Sequence, residues 1–210
     1  MDVFADERTV FWEDIFGMGK NDYFEMLETL MDDALKAVRI VCSSGEINDK
    51  EREKRMFELK SRCETSVCEI ESRLFSDFIP PLQRDNIALL AHRLSRVVDR
   101  AYDLMKNGTP QGRGSIGKTE SCEVCIRLAE KLSESTKLLK SLRSPSCKVD
   151  SADFRKTLCE GREASSRELE KVSRGVLPRS HAERIYGAER LRYELSSCFD
   201  SLVEVMLNNI

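Results

Sequence analysis

Apolar residues recur at steps of three and four along most of this chain, and this period constrains the fold more than any other feature. Between residues 87 and 104 the apolar positions are Ile87, Leu90, Ala91, Leu94, Val97, Val98, Ala101 and Leu104. This spacing places them on one face of an amphipathic helix whose other face is charged. Of the 210 residues 34% are charged and 7% aromatic, and period-two patterns are rare. The sequence therefore predicts an all-α protein.

A proline pair interrupts the pattern between two long helical segments. Proline cannot occupy a helix interior, and it biases the residue before it towards extended geometry. Residues 78–81, which end in Pro80 and Pro81, are therefore predicted to form a rigid corner.

Six helices follow from the apolar stripes and the residues at their ends. The first is predicted at residues 22–42, and the third ends at residues 107–108. The residues predicted to begin or cap the other helices are Asn48 with Glu51, Thr119, Asp150 or Ser151, and Ser180 with Glu183. The apolar stripe predicted for the fifth helix is Phe154, Leu158, Gly161, Ser165, Leu169, Val172 and Val176.

These helices form two sets of three, which predicts an elongated six-helix bundle built from two repeats. The predicted segments are a leader at 1–20, a first repeat at 21–107, a linker at 108–118 and a second repeat at 119–210, together forming one compact domain. The leader is expected to pack as a short helix, and contact with a membrane or a partner is left open. Its apolar residues are Phe11, Trp12, Ile15 and Phe16.

Composition argues against several functional classes. A net charge of −3 does not favour nucleic-acid binding, which relies on a basic surface. The sequence has no run of about 18 apolar residues and no secretory signal, so neither a membrane span nor export is expected. The eight cysteines are therefore interpreted as reduced residues of a cytoplasmic protein.

Two short motifs suggest chemistry, but their context does not support it. Residues 112–119 match the phosphate-binding P-loop pattern, yet no apolar strand precedes them. A flexible linker that leads into a capped helix explains this stretch better, with loose anion binding left open. Cys122 and Cys125 form a lone CxxC motif without a second ligand pair, so a position in the helical core is expected. His92 and His181 are isolated, and no catalytic residues are predicted.

The corner and the helix after it resemble PhoU-like phosphate transport regulators that accompany Pit-type phosphate permeases. The matching residues are Phe78, Ile79, Pro81, Leu82, Arg84, Ile87, Ala91, Leu94, Val97, Val98 and Asp99. The resemblance implies a two-times-three-helix fold and a non-enzymatic, cytoplasmic accessory protein that regulates a Pit-type phosphate permease. It implies peripheral membrane contact through this partner alone, and a homodimer is left open.

The resemblance also implies metal ligands, because members of the family carry acidic residues four apart on the second and third helices of each repeat. A degenerate site for a divalent metal or iron would retain Glu64, Asp99, Asp103 and Glu194. Non-acidic residues stand at the other positions, namely Lys60, Ser95, Arg162, Ser165, Arg190 and Cys198. Basic substitutions raise the electrostatic cost of holding a cation, and Lys60 with Glu64 is expected to form a salt bridge instead.

Two other functions remain open from the sequence. The protein could be a metal-binding helical-bundle protein, or a helical scaffold or adaptor unrelated to phosphate. Metal content would distinguish the first, and a partner with no link to phosphate would distinguish the second. Neither the transported ion nor the oligomeric state follows from the residues.

Overall fold

The described part of the chain folds into a bundle of six α-helices, as predicted. In this computed structural model the described residues are 20–42, 48–77, 80, 82–108, 119–141 and 149–207. The helices are α1 (Lys20–Cys42), α2 (Asp49–Ser76), α3 (Arg84–Gly108), α4 (Glu120–Lys137), α5 (Ser151–Ser173) and α6 (Ser180–Leu207), with a short 3₁₀ segment at Leu138–Ser141. Within these ranges there is no β-strand.

Helix contacts follow the same scheme in both halves. The helices α1, α2 and α3 pack against one another in all pairs, and so do α4, α5 and α6. The two sets meet where α1 packs on α4 and α3 packs on α6, while α2 and α5 lie outside these junctions. Exchange of the two sets leaves this scheme unchanged. Internal duplication and the proposed domain boundaries stay predictions.

The core lies along the faces where α1, α3, α4 and α6 meet. Leu30, Leu94, Leu128 and Leu195 are each at most 1% exposed. Burial of one such side chain contributes about 2 kcal/mol, so these faces account for much of the stability. On the outer layer, Phe154 of α5 stacks on Phe199 of α6 with ring centroids 3.7 Å apart. No helix in the described ranges combines the length and the apolar character needed to cross a membrane.

Local hydrogen bonds explain where several helices begin. The Asn48 side chain caps α2 by accepting from the Lys50 amide at 3.3 Å. The other half of the predicted capping box is not formed in this way, because Glu51 pairs with Arg55 one turn on, at 2.8 Å. Side chains also cap α4 and α5, where Thr119 accepts from the Cys122 amide and Asp150 from the Asp153 amide.

The predicted ends of two helices differ from the structure by one or two residues. The first helix begins at Lys20 rather than residue 22. Ser180 is the first residue of α6 rather than its cap, and the His181 amide donates to the Pro178 carbonyl at 2.9 Å. Repeating apolar positions specify a helix well, but they do not specify which residue opens its first turn.

The stripe predicted for α5 is confirmed at Phe154, Gly161 and Ser165 and wrong at its other four positions. Leu158, Leu169 and Val172 are only partly buried, and Val176 is 69% exposed beyond the helix. The buried residues outside the predicted stripe are Thr157, Ala164 and Glu168. The buried face is therefore turned towards small and polar residues, which sequence hydropathy does not identify as core.

Three predictions fall largely on residues that are not described. Of the predicted leader at 1–20, residues 1–19 lie outside the described residues, and Lys20 already belongs to α1. Of the predicted linker at 108–118, residues 109–118 lie outside them. Of the predicted corner at 78–81, Pro80 is described; the buried Leu82 follows it, and α3 begins at Arg84. Arg84 donates to the Asp77 carbonyl at the end of α2, which ties the two sides of the corner together.

Candidate functional site

A lysine lies among the acidic residues where α2 packs on α3. Lys60 Nζ donates to Asp99 Oδ1 at 2.5 Å and lies 3.7 Å from Glu64 Oε1. The predicted Lys60–Glu64 salt bridge is thus confirmed, but the shorter contact crosses to the neighbouring helix. The hydrogen bond to Asp99 raises the pKa of Lys60, so the ammonium group stays protonated and occupies the place of a cation.

The remaining two predicted ligands are held by arginines of α3. Glu194 Oε1 accepts from Arg96 Nη2 at 2.8 Å and from Arg100 Nε at 3.5 Å. Arg100 also donates to Asp103 Oδ2 at 3.3 Å. The Glu194 side chain is only 2% exposed, so its charge depends on the two guanidinium groups. These contacts join the third helices of the two sets.

Where α5 packs on α6, the polar contacts are made by hydroxyl and backbone groups, although the resemblance implied carboxylates there. Arg192 Nη1 donates to the Gly161 carbonyl at 2.6 Å and to Ser165 Oγ at 2.9 Å. Ser165 Oγ lies 3.1 Å from Ser121 Oγ of α4, and Ser165 is fully buried. Arg162, by contrast, is exposed. An internal arginine therefore organises this interface.

The residues present do not fit a metal ion. No group of three or more His, Cys, Asp or Glu side chains converges on a metal position in the described parts of the chain. Glu194 Oε2 is buried without a hydrogen-bond partner there, but a cation beside it would face Arg96 and Arg100. A metal cation and two guanidinium groups so close together would repel one another strongly in a buried environment. The degenerate metal site stays a prediction, and no chemistry is derived from it.

A shallow groove between α3 and α6 is the main concave feature near these residues. Its volume is about 290 Å³, and its polar lining includes Arg100, Asp103, Glu183, Tyr186 and Arg190. Both signs of charge line it, so it does not form a dedicated anion or cation pocket. Tyr186 and Arg190 of this groove share one exposed face of α6 with Tyr193, because the three residues are spaced by four and three positions.

The motifs considered above occupy structural positions where they are described. His92 lies 2.9 Å from Glu71, and both side chains are substantially exposed. From the P-loop-like stretch, Thr119 is described, and its hydroxyl caps α4. Cys122 and Cys125 are fully buried, as the core interpretation predicts. Cys198 is also buried, and burial raises its pKa to about 12.

Two buried carboxylates were missed by the sequence interpretation. Asp33 of α1 accepts two hydrogen bonds from Arg62 of α2, at 2.6 and 2.8 Å. Glu168 of α5 accepts from the amides of Glu120 and Ser121 at the start of α4, at 2.6 and 3.3 Å. Their positions in the sequence could have identified them, because each lies at helical spacing from buried residues. A charged residue at such a position requires a partner.

Comparison with known proteins identifies the fold. No family model matches the chain, and no curated protein matches it. The crystal structure of a PhoU-like protein from Shewanella oneidensis MR-1 has a TM-score of 0.65 with this chain, at 14% sequence identity. The alignment covers 89% of this chain and 99% of the other. The protein therefore has a PhoU-like fold.

Proposed function

We propose that the protein is a non-enzymatic accessory protein that regulates a Pit-type phosphate permease from the cytoplasmic side. The observation that carries this proposal is the similarity of nearly the whole chain to a PhoU-like protein. The residues at and after the corner, from Leu82 to Asp99, support it through their resemblance to the same family. The charged residues that face one another across the helices are engaged in pairs, which favours a binding role over catalysis.

The exposed face of α6 is the part of the surface best suited to such a partner. Tyr186 is 49% and Tyr193 is 68% exposed, and the exposed Arg190 lies between them. Tyrosine and arginine supply much of the binding energy in protein interfaces, because they combine apolar area with hydrogen bonding. The net charge of −3 also suits a partner whose cytoplasmic loops are rich in Lys and Arg.

Co-purification with a Pit-type permease from detergent-solubilised membranes tests both parts of the proposal. We expect the unmodified chain to co-purify and the double variant Tyr186→Ser, Tyr193→Ser to be lost from the complex. Phe57→Ser is the matched control, since Phe57 is 63% exposed on α2, away from this face. Failure of all three proteins to bind would contradict the permease function. Equal binding of all three would contradict the α6 face alone.

A transport measurement separates regulation from simple binding. Phosphate uptake by cells that express the permease should change when the accessory protein is co-expressed, and the double variant should remove this change. Elemental analysis of protein purified without chelators addresses the metal-binding alternative. Bound iron or a divalent metal at a stoichiometric level would favour that alternative over the regulator.

A further inference from the structure

Three cysteine thiols meet where the two halves of the bundle join. Cys42 ends α1, while Cys122 and Cys125 lie in the first turns of α4. The Cys42 sulfur lies close to those of Cys122 and Cys125, and the Cys125 thiol donates to the Ala188 carbonyl of α6 at 3.4 Å. All three residues are at most 1% exposed. Their juxtaposition is tertiary, because Cys42 is distant in sequence from the other two.

A buried arginine lies beside this thiol cluster. Arg184 of α6 is 6% exposed, and its Nη2 donates to the Val41 carbonyl at 3.0 Å. The Cys122 sulfur lies near its guanidinium group, and its Nε is buried and unpartnered among the described residues. No carboxylate of those residues forms an ion pair with it. A buried guanidinium needs a compensating negative charge, and the Cys122 sulfur is positioned to supply it.

The surroundings of Cys122 favour its thiolate form. Donation from Cys42, the positive charge of Arg184 and the Thr119 hydroxyl lower the pKa of Cys122, against the opposing effect of burial. Cys122 also lies in the first turn of α4, where the helix dipole favours negative charge. Cys42 has the opposite tendency, because the neighbouring Cys122 and Cys125 sulfurs and its burial raise its pKa. Cys122 is thus the more readily ionised thiol of the pair.

We propose that Cys42, Cys122 and Cys125 form a redox centre in which a small hydroperoxide oxidises Cys122 and Cys42 then closes a disulfide that joins α1 to α4. Arg184 is a positioning residue that keeps Cys122 ionised. The cationic guanidinium also argues against a metal at this cluster. The centre is independent of permease binding, and it makes the contact between the two halves sensitive to oxidants.

The chemistry balances with a hydroperoxide as the oxidant. With hydrogen peroxide, the Cys122 thiolate attacks one peroxide oxygen, the O–O bond breaks, and the leaving hydroxide takes a proton from the solvent to become water. An organic hydroperoxide would release an alcohol at this step. Cys122 is then a sulfenic acid. The Cys42 thiol attacks its sulfur, an S–S bond forms, the S–O bond breaks, and the departing hydroxide takes the Cys42 proton as a second water. Two electrons pass from the thiols to the peroxide. The reaction requires the first turn of α4 to open and admit the peroxide, and helix ends open more readily than helix interiors.

Peptide mapping of the full chain tests the disulfide directly. The protein is treated with hydrogen peroxide, unfolded in guanidinium chloride with an alkylating reagent, digested and analysed by mass spectrometry. We expect a Cys42–Cys122 cross-link that a dithiol reductant reverses. Cys42→Ser and Cys122→Ser should abolish it, whereas Cys63→Ser, which alters another buried thiol, should leave it intact. Full alkylation of all three cysteines, or a Cys122–Cys125 cross-link in place of the expected one, would overturn the proposal.

Thiolate absorbance in the ultraviolet tests the role of Arg184 without oxidation. At neutral pH the folded protein should show the absorbance of about one thiolate more than Cys122→Ser. Arg184→Lys should retain most of this signal because the charge is kept, and Arg184→Met should lose it. Circular dichroism establishes that each variant is folded. Equal absorbance in the unmodified chain and Cys122→Ser overturns the proposal even if neither arginine variant folds.

Discussion

The interface of α2 with α3 and that of α5 with α6 occupy equivalent places in the two halves, but they hold their polar groups differently. In the first, Lys60 bridges Asp99 and Glu64, and the Lys60 and Asp99 side chains are 33% and 44% exposed. In the second, Arg192 bonds Ser165 and the Gly161 carbonyl, and the two side-chain partners are 8% and 0% exposed. One interface is a partly solvated ion pair, and the other is an internal hydrogen-bond network.

This difference separates two ways of accommodating a basic group between helices. Water screens the Lys60–Asp99 ion pair, so removal of either partner should cost little stability. Little water reaches the Arg192 network, so removal of the guanidinium takes away buried hydrogen bonds to Ser165 and the Gly161 carbonyl that water does not readily replace. We therefore expect the second interface to be much more sensitive to substitution than the first.

The largest effect is expected from Arg192→Met. This change retains most of the side-chain volume but removes the two buried hydrogen bonds and the contact of Nη2 with Glu189 at 3.5 Å. The free energy of unfolding should therefore fall by about 3 kcal/mol. Urea denaturation measures the loss. The matched control is Arg162→Met on the exposed side of α5, which should change stability by less than about 0.5 kcal/mol. Similar losses in both variants would show that the buried hydrogen bonds of Arg192 contribute no more to stability than an exposed arginine does.

A smaller loss is expected from Gly161→Ala in the same interface. The new Cβ would lie 2.8 Å from Arg192 Cδ and 2.9 Å from Val124 Cγ1, which is too close for an undisturbed contact. Overpacking should outweigh the gain in helix propensity and lower the free energy of unfolding by about 1 kcal/mol. Thermal unfolding compares it with Ser166→Ala at an exposed position of the same helix. A stabilised Gly161→Ala variant would mean that α5 can move away from α6.

Lys60→Met should lower the free energy of unfolding by only about 0.5 kcal/mol. Asp99 can recover its hydration because its side chain is 44% exposed, and methionine can retain much of the packing of the lysine stem. Lys54→Met is the control on the same helix, since Lys54 and Glu58 are both exposed and 3.9 Å apart. A loss close to that of Arg192→Met would remove the proposed distinction between the interfaces.

The smallest effect concerns pH. The Asp99 hydrogen bond raises the pKa of Lys60 above its ordinary value of 10.5. A raised lysine pKa stabilises the fold fully below the unfolded-state pKa, and this contribution is lost as the pH rises through the folded-state pKa. The stability difference between the unmodified chain and Lys60→Met should therefore shrink above pH 10.5. Urea titrations at neutral and alkaline pH measure it, and a widening difference would contradict the assigned pairing.

The sequence predicted the helices better than the contacts between them. Apolar spacing identified six helices, because period and burial are properties of a single segment. It did not show that Lys60 turns towards Asp99, since that contact depends on how α2 lies against α3. Arg192 and Glu168 were missed for the same reason. Their partners, Ser165 and the α4 amides, come from other helices, and hydropathy alone places both residues in solvent. The cysteine cluster likewise required the packing of α1 on α4.

The junctions of α1 with α4 and of α3 with α6 also govern how the chain can acquire its structure. On the ribosome, the apolar residues of α1 and α3 that face the second half emerge long before the helices that cover them. A chain cut after residue 108 would leave these surfaces facing water and would tend to self-associate. Once the second half is synthesised and covers these apolar surfaces, the first half should no longer tend to aggregate.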